Sequence, residues 1–427
     1  MLITFTLSLL WYIYTLIKKR MDIFQLTLPN GIRMVHYPIT GMVAHCGIII
    51  NAGSRDELEG EQGIAHFIEH MLFKGSKKRK SYHILSRLED VGGELNAYTT
   101  KEETAVHASF LKEDYERTVE LLADITFNSV FPEKEIRKEK DVIIEEINSY
   151  LDSPSELIFD EFEEQIFSGY QIGRSILGKP ETVKKFSRNT IERFIDRNYK
   201  LSQMVFCSVG NISEEKITKL FREHFSGYNS NGNNERTFTS PDYIPSSVTK
   251  KKETFQNHCI IGNKSYNIKA PERLGMFLLN NILGGQGLNS RLNLSLRERN
   301  GLAYTVESVY NPYTDTGSFS IYFGTDGQYL EKSISIVHGE LKKLREEKLG
   351  SIQLSKAKKQ IKGYIARGYE NHENLMLSLG KSLLVLGRIE SFDELCSRID
   401  AITSSDLLQI ANEIFDPSEL SMLIYRK

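Results

Sequence analysis

Cysteine is scarce in this sequence, and its copies follow no recognised spacing. The four cysteines are Cys46, Cys207, Cys259 and Cys396, and no two of them form a C-x-x-C pair. This scatter excludes a disulfide framework and a cysteine-ligated zinc site, and it is compatible with a reducing compartment. We therefore expect a cytoplasmic protein, unless its first residues attach it to a membrane.

A strong charge of either sign is also absent. The 54 basic and 56 acidic side chains give a formal net charge of −2, so no long-range field favours nucleic acid as a partner. Hydrophobic residues make up 40% of the 427 residues. That content is typical of two or three globular domains with sizeable cores. The near-zero net charge predicts a protein that does not bind nucleic acid.

Long hydrophobic runs are missing except at the start of the chain. Residues 2–17 carry no charge, and Lys18, Lys19 and Arg20 follow them. As a helix this run would span about 24 Å, short of the ~30 Å hydrocarbon core of a membrane. We expect residues 1–20 to be an extension that results from a misassigned start, with Met21 as the true first residue. The alternative is a short membrane anchor.

Strand and helix patterns alternate after residue 21, and their order then repeats. Residues 231–250 are rich in Ser, Asn and Pro, which predicts a linker. Because the same order of elements occurs on both sides, we infer an internal duplication. The predicted fold is α+β. It has two homologous α/β halves, residues 21–230 and 251–427, and each half has a mainly antiparallel sheet flanked by helices.

The run HFIEH places two histidines four residues apart within an apolar segment. On a helix His66 and His70 share one face, and Glu69 lies on the same side. Two imidazoles can bind one zinc ion that keeps a position open for water, and a carboxylate beside it can take the water's proton. The alternative is a pair of partly buried core histidines on an amphipathic helix.

A third metal ligand has to come from another element. In the run KEIRKEKDVIIEEIN, Glu139 and Glu146 are seven residues apart, so both lie on one stripe of a helix. One of them would be a ligand, and the other would hold a ligand in place. Spacing alone leaves Glu145 as a competitor of Glu146, and a charge run of this kind is commonly a solvated helix face.

Four blocks of the sequence together resemble one family. They are GSRDELEGEQGIAHFIEHMLFKGS, GGELNAYTTKEETAVHASF, EKDVIIEEINSYLDSP and LGGQGLNSRLNLSLRERNGLAYTV. In content and order they are similar to the pitrilysin-type (inverzincin) metallopeptidases, in particular the group of the mitochondrial processing peptidase and its bacterial relatives. The resemblance implies that His66 and His70 bind one zinc ion per chain, with Glu146 as third ligand. It also implies that Glu69 is the general base and that Glu139 orients a histidine.

The resemblance implies further roles for residues that the spacing alone would not single out. Arg297 and Tyr304, seven residues apart in the second half, would grip the substrate and stabilise the reacting carbonyl. Asn96 and Ala97 would lie on an edge strand to which an extended peptide adds. Without the resemblance, Arg297 would be a surface ion pair, Tyr304 a packed strand aromatic, and NAYT an ordinary strand start.

The expected function is zinc-dependent endopeptidase activity on short or unfolded peptides. Because the family's active unit has four such halves and this chain has two, a homodimer or a heterodimer with a related subunit is implied. The main alternative is a non-catalytic peptide-binding or assembly subunit that retains a structural metal site. The ligand set would also accept manganese or cobalt, so the sequence does not separate these from zinc.

Overall fold

The computed structural model describes residues 23–229, 232, 236 and 242–427. The predicted extension 1–20 and nine of the twenty residues of the predicted linker 231–250 therefore lie outside the described residues. None of the helices within the described residues is both long and apolar enough to cross a membrane. The boundaries of the two halves, 21–230 and 251–427, stay predictions.

The first half is built on a six-stranded sheet. Its strands are β1 (Phe24–Thr27), β2 (Arg33–Pro38), β3 (Val43–Ile50), β4 (Glu94–Thr99), β5 (Thr104–Leu111) and β6 (Met204–Gly210). They are arranged in the order β1-β2-β6-β3-β5-β4, and only the pair β2–β6 is parallel. The central strands β3 and β6 are almost wholly buried, which explains their continuous apolar sequences.

Eight helices accompany this sheet. They are α1 (Ile64–Met71), α2 (Ser81–Glu89), α3 (Tyr115–Phe127), α4 (Glu133–Leu151), α5 (Pro154–Ile166), α6 (Pro180–Val183), α7 (Arg188–Asn198) and α8 (Glu214–Phe225). The main core of the first half lies between one face of the sheet and these helices, α5 excepted. Amphipathic spacing drives that packing, because the longer helices of this set turn an apolar stripe towards the core.

The second half is built on a five-stranded sheet. Its strands are β7 (Ser247–Lys251), β8 (Asn257–Ser265), β9 (Ala303–Pro312), β10 (Gly317–Thr325) and β11 (Ser421–Arg426). The helices of this half are α9 (Arg273–Gly284), α10 (Leu330–Glu346), α11 (Ser351–Glu370), α12 (His372–Leu386), α13 (Phe392–Ala401) and α14 (Ser404–Ile414). A π-helical turn at Asn293–Glu298 leads into β9.

The two sheets share one topology. The second has the order β7-β11-β8-β10-β9, in which only β7–β11 is parallel. It corresponds strand for strand to β2-β6-β3-β5-β4 of the first sheet, and β1 is an additional edge strand. The predicted two-half α/β architecture is thereby confirmed, with mixed sheets that are antiparallel apart from one pair each.

One helix of each half packs against the sheet of the other half. Helix α12 lies against β3 and β6 of the first sheet, and α5 lies against β8 and β11 of the second sheet. Ile49 and Cys207 meet Met376 and Leu379 of α12 in a buried cluster. A Cβ added at Gly380 would lie 2.7 Å from Ile49 Cδ1, so this helix sits directly on the strands. Both sheets are therefore covered on both faces.

Ion pairs also tie the turn between β4 and β5 to the second half. Glu102 lies 2.5 Å from Arg55, whose guanidinium also pairs with Asp315 of the second half at 2.8 Å. The next residue, Glu103, is buried and pairs with Lys381 of α12 at 3.2 Å. Strand β4, which forms one edge of the first sheet, thus ends in a turn held by the second half.

Shortening Met376 to alanine tests the exchange of helices. Met376 is fully buried against the first sheet, so M376A should lower the free energy of unfolding by about 2–5 kcal/mol, because it leaves a cavity. Chemical denaturation followed by circular dichroism measures this change. S378A, at an exposed position of the same helix, is the matched control. Equal stability of the two variants would contradict the packing described above.

Candidate metal centre

The segment HFIEH lies on α1, a helix of eight residues. The side chains of Ile64, Phe67 and Ile68 are buried in the core of the first half. The helix also packs against α4 and β4. The side of α1 that borders α4 and β4 carries His66, Glu69 and His70. The four-residue spacing thus brings both imidazoles to one place, with their ring centroids 4.6 Å apart.

Helix α4 supplies the carboxylates. Its buried stripe includes Ile143 and Ile147, which fixes the side that faces α1. Glu139 is buried on that stripe, whereas the side chain of Glu146 is 44% exposed. Glu145 is exposed and stands apart from the cluster that His66, His70 and Glu146 form among the described residues.

The three ligand atoms converge on one point. Glu146 Oε1 lies 3.8 Å from His66 Nε2, and Glu146 Oε2 lies 3.7 Å from His70 Nε2. All the donor atoms lie within 4.8 Å of one another. A tetrahedral ion with bonds of about 2.0–2.2 Å needs donor atoms roughly 3.3 Å apart. The residues therefore fit a zinc ion after small side-chain adjustments, and the exposed side of Glu146 leaves room for water.

The charge states of the two histidines suit metal binding in different ways. Burial, together with the neighbouring His70, lowers the pKa of His66 to about 4, so its imidazole is neutral at pH 7. Burial alone would lower the pKa of His70 as well, but its hydrogen bond to Glu139 raises the net value. A neutral imidazole keeps a lone pair for a cation, and a carboxylate partner strengthens the second ligand.

A chain of short contacts orients His70. Its Nδ1 lies 2.9 Å from Glu139 Oε1, and Lys74 Nζ lies 2.7 Å from the other oxygen of that carboxylate. Burial would raise the pKa of Glu139, but these two partners more than offset it, so the pKa is lower than usual. The ionised carboxylate holds the imidazole with Nε2 towards the shared point. Sequence reasoning missed Lys74, although its place one turn beyond His70 was a usable signal.

Glu69 lies beside the convergence point in a depression of about 330 Å³. Burial raises the pKa of this carboxyl above its usual value, and the nearby Thr99 hydroxyl offsets part of that rise. A raised pKa brings a general base closer to neutrality, where proton transfer in both directions is efficient. Asn96 and Ala97 of β4 line the same depression.

Strand β4 has a free edge at this depression. Asn96 pairs with His107 and Ala97 with Val106, both on β5. In the described part of the chain β4 pairs with no other strand. Its second row of backbone N–H and C=O groups can therefore bind an extended peptide by main-chain hydrogen bonds.

Arg297 and Tyr304 lie elsewhere on the same chain. Arg297 is on the π-helical turn, and its guanidinium stacks 5.0 Å from the ring centroid of Tyr304 at the start of β9. Tyr304 is 81% exposed. The two side chains line two surface hollows, one of which also includes Pro154 and Ser155 of the first half. Neither side chain borders the depression that holds Glu69 and His70. The structure thus brings them together with each other but not with the metal ligands.

Comparisons with known proteins identify the family of this chain. Residues 36–180 match the family described as Insulinase (Peptidase family M16), and residues 185–361 match the Peptidase M16 inactive domain. The chain belongs to peptidase family M16. In this M16 member the H-x-x-E-H segment lies within the first match, and the second half has no copy of it.

Relatives of this M16 protein match it over nearly their whole length. The "uncharacterized zinc protease YmxG" of Bacillus subtilis is 33% identical over 91% of this chain and 95% of its own. An "uncharacterized zinc protease" of Rickettsia bellii is 33% identical over 93% of this chain and 96% of its own. Their names support a zinc-dependent metalloprotease.

Solved structures of other proteins share the fold. A protease from Helicobacter pylori has a TM-score of 0.87 at 22% identity and covers 96% of this M16 chain and 100% of its own. A structure described as a peptidase M16 inactive domain, from Pseudomonas fluorescens, has a TM-score of 0.88 at 17% identity, with 95% and 97% coverage. At these identities the likeness concerns the architecture alone.

Two neighbouring glutamates on α4 provide a test of the ligand set. E146Q should weaken zinc binding by at least about tenfold, because it removes a charged oxygen ligand, whereas E145Q should leave it unchanged. Competition with a chromogenic zinc chelator measures both affinities. A loss in E145Q with none in E146Q would show that the neighbouring glutamate is the ligand.

Proposed function

We propose that this M16 protein is a zinc-dependent endopeptidase that hydrolyses short or unfolded peptides with one zinc ion per chain. The observation that carries the proposal is the convergence of His66, His70 and Glu146 on one point beside Glu69. The free edge of β4 at the same place supplies a means of holding a peptide. A structural metal site needs neither the adjacent carboxyl nor an open strand edge.

The chain's own residues account for the remaining parts of the reaction. A bound zinc ion would polarise the scissile carbonyl and lower the pKa of water. Glu69 takes a proton from the attacking water and passes it to the leaving amide nitrogen. Glu139 and Lys74 keep His70 oriented throughout. Backbone pairing with β4 holds the peptide in an extended conformation.

This mode of binding favours unstructured substrates. A peptide has to present a free stretch of backbone to pair with β4, and folded domains keep their backbone groups paired internally. The depression of about 330 Å³ has a mixed lining, in which Phe73 and Leu95 lie beside polar side chains such as Ser81 and Asn96, so it does not select for an apolar side chain. The physiological substrate is therefore expected to be a peptide or an unfolded segment.

We further propose that the working unit contains a second chain, identical or related. Arg297 and Tyr304 border no part of the depression in their own chain, and Tyr304 is exposed. In a dimer, the Arg297 and Tyr304 of one chain could reach the metal centre of the other chain. There the guanidinium would bind a peptide carbonyl and the phenol would donate to the developing oxyanion.

A cytoplasmic location is proposed on the four unpaired cysteines, three of which are buried.

Replacing the base tests the enzymatic proposal. E69Q should keep its zinc, because the ligands are intact, and should lose about 10²–10⁴-fold in kcat. Zinc content by plasma emission spectroscopy and turnover of a quenched unfolded-peptide library provide the two measurements. A wild type that binds zinc and peptides without cleaving them would favour the alternative, a non-catalytic subunit with a structural metal.

Mixing two inactive variants tests the shared site. Y304F should retain zinc and lose about 10²-fold in kcat, because an oxyanion donor is removed. If Tyr304 acts on a partner's metal in a symmetric dimer, equal mixing of Y304F with E69Q should restore about a quarter of wild-type activity. Y329F, on another exposed tyrosine of the second half, is the control for Y304F. Failure of the mixture to regain activity would argue for a site completed within one chain.

A further inference from the structure

We propose that Glu57 is a positioning residue for the metal ligand His66. Its carboxylate caps the first turn of α1 and fixes the backbone from which that imidazole extends. The inference rests on the proposed function, since it concerns how a zinc ligand is held. It assigns a role to a buried acid that takes no part in the chemistry.

The carboxylate of Glu57 spans the N-terminus of the metal-binding helix. Oε2 accepts the backbone N–H of Gly63 at 2.9 Å, and Oε1 accepts that of Ala65 at 3.0 Å. Glu57 is 1% exposed, and no other hydrogen bond to its carboxylate is found in residues 23–229 or in the rest of the described chain. Ala65 directly precedes His66, so this cap acts on the residue adjoining the ligand.

Helix α1 has no side-chain cap at its N-cap residue. The N-cap residue normally supplies a side-chain oxygen, but α1 begins after Gly63, which has a left-handed φ of 94°. A Cβ at this position would lie 2.5 Å from the carbonyl oxygen of Leu177. Because no side chain fits at Gly63, the N–H of Ala65 in the first turn needs an acceptor from elsewhere, and Glu57 supplies it.

The two histidine ligands are held in different ways. The ring of His70 is oriented by its hydrogen bond to Glu139. Among the described residues, Nδ1 of His66 is buried and has no hydrogen-bond partner. No carboxylate in the described part of the chain holds the ring of His66 through Nδ1, so the position of this ring depends on its backbone. Glu57 fixes that backbone, as Glu139 fixes the ring of the other ligand.

Burying an acid for this purpose is costly, which argues that the contact has a specific role. Taking a carboxylate out of water is unfavourable unless hydrogen bonds and nearby positive charge compensate. Here two N–H donors, the positive end of the α1 dipole and the Arg174 guanidinium offset part of that cost, and burial still raises the pKa of Glu57 to about 8. The guanidinium donates to the backbone carbonyl of Glu57 and to the carboxylate of Glu59.

Glu57→Gln in the full-length chain tests the proposal, with Glu59→Gln as the matched control. An amide has one acceptor oxygen and would turn its NH₂ towards an N–H of α1, so one cap is lost. The exposed Glu59 lies in the same segment and also contacts Arg174, but it does not touch α1. We expect E57Q to weaken zinc affinity about 10–100-fold, as removal of a group supporting a ligand does. E59Q should stay within about twofold of wild type by the same reasoning.

Two further readouts separate positioning from mere stability. The visible absorption spectrum of the cobalt-loaded protein reports ligand geometry, and it should change in E57Q but not in E59Q. The melting temperature of the metal-free protein reports stability. A fall in melting temperature with unchanged zinc affinity and cobalt spectrum would overturn the proposal. If the wild type binds no zinc at all, the proposed function fails and not only this inference.

If E57Q does not fold, the variant E57D and amide deuterium exchange of the wild type test the proposal instead. E57D keeps the carboxyl group but draws it back by one methylene, so it reaches only one of the two N–H groups, and zinc affinity should fall several-fold. In the wild type the amides of Gly63 and Ala65 should exchange slowly with deuterium. Wild-type affinity in either folded variant, or rapid exchange of both amides, would overturn the assignment.

Discussion

The exchange of one helix between the halves is the constraint on which the rest of the structure depends. Helix α12 closes the face of the first sheet that carries Ile49 and Cys207, and α5 closes the corresponding face of the second sheet. Since buried apolar surface contributes about 25 cal/mol per Å², separating the halves would expose two apolar faces at once. The halves are therefore fixed in one relative orientation.

The geometry of the metal centre depends on fixed contacts between elements. Its ligands come from two helices that pack on each other, so their distances depend on the α1–α4 contact and not on a loop. The strand that borders the site, β4, ends in a turn that contacts the second half. Glu102 accepts hydrogen bonds from Thr314, and Glu103 is ion-paired to Lys381. The half without the metal thus helps to hold the peptide-binding edge of the half that has it.

The spacing of residues in the sequence predicts some of the metal-site residues but not all of them. His66, Glu69 and His70 could be placed on one helix face from the sequence, because a four-residue spacing needs only helix geometry. The choice between Glu145 and Glu146 could not be made from spacing. It depends on which side of α4 meets α1, and the packing of Ile143 and Ile147 decides that.

Two other features were beyond sequence reasoning for a different reason. An apolar stripe shows that a helix covers something, but it does not say which sheet, so the exchange of α5 and α12 could not be foreseen. Glu57 was missed because a cap that lies six residues before its N-cap position follows no helical period. The repeated order of elements, in contrast, was enough to predict two halves with a common topology.

The exchanged helix α12 has a consequence for the order of events during synthesis. The strands of the first sheet are complete once residue 210 has been made, but α12 begins only at residue 372. Until the ribosome has added those intervening residues, one face of the first sheet has no cover, and its apolar side chains remain in contact with water. The metal-binding half therefore reaches its final form only when most of the chain has emerged, although its own sequence is finished much earlier.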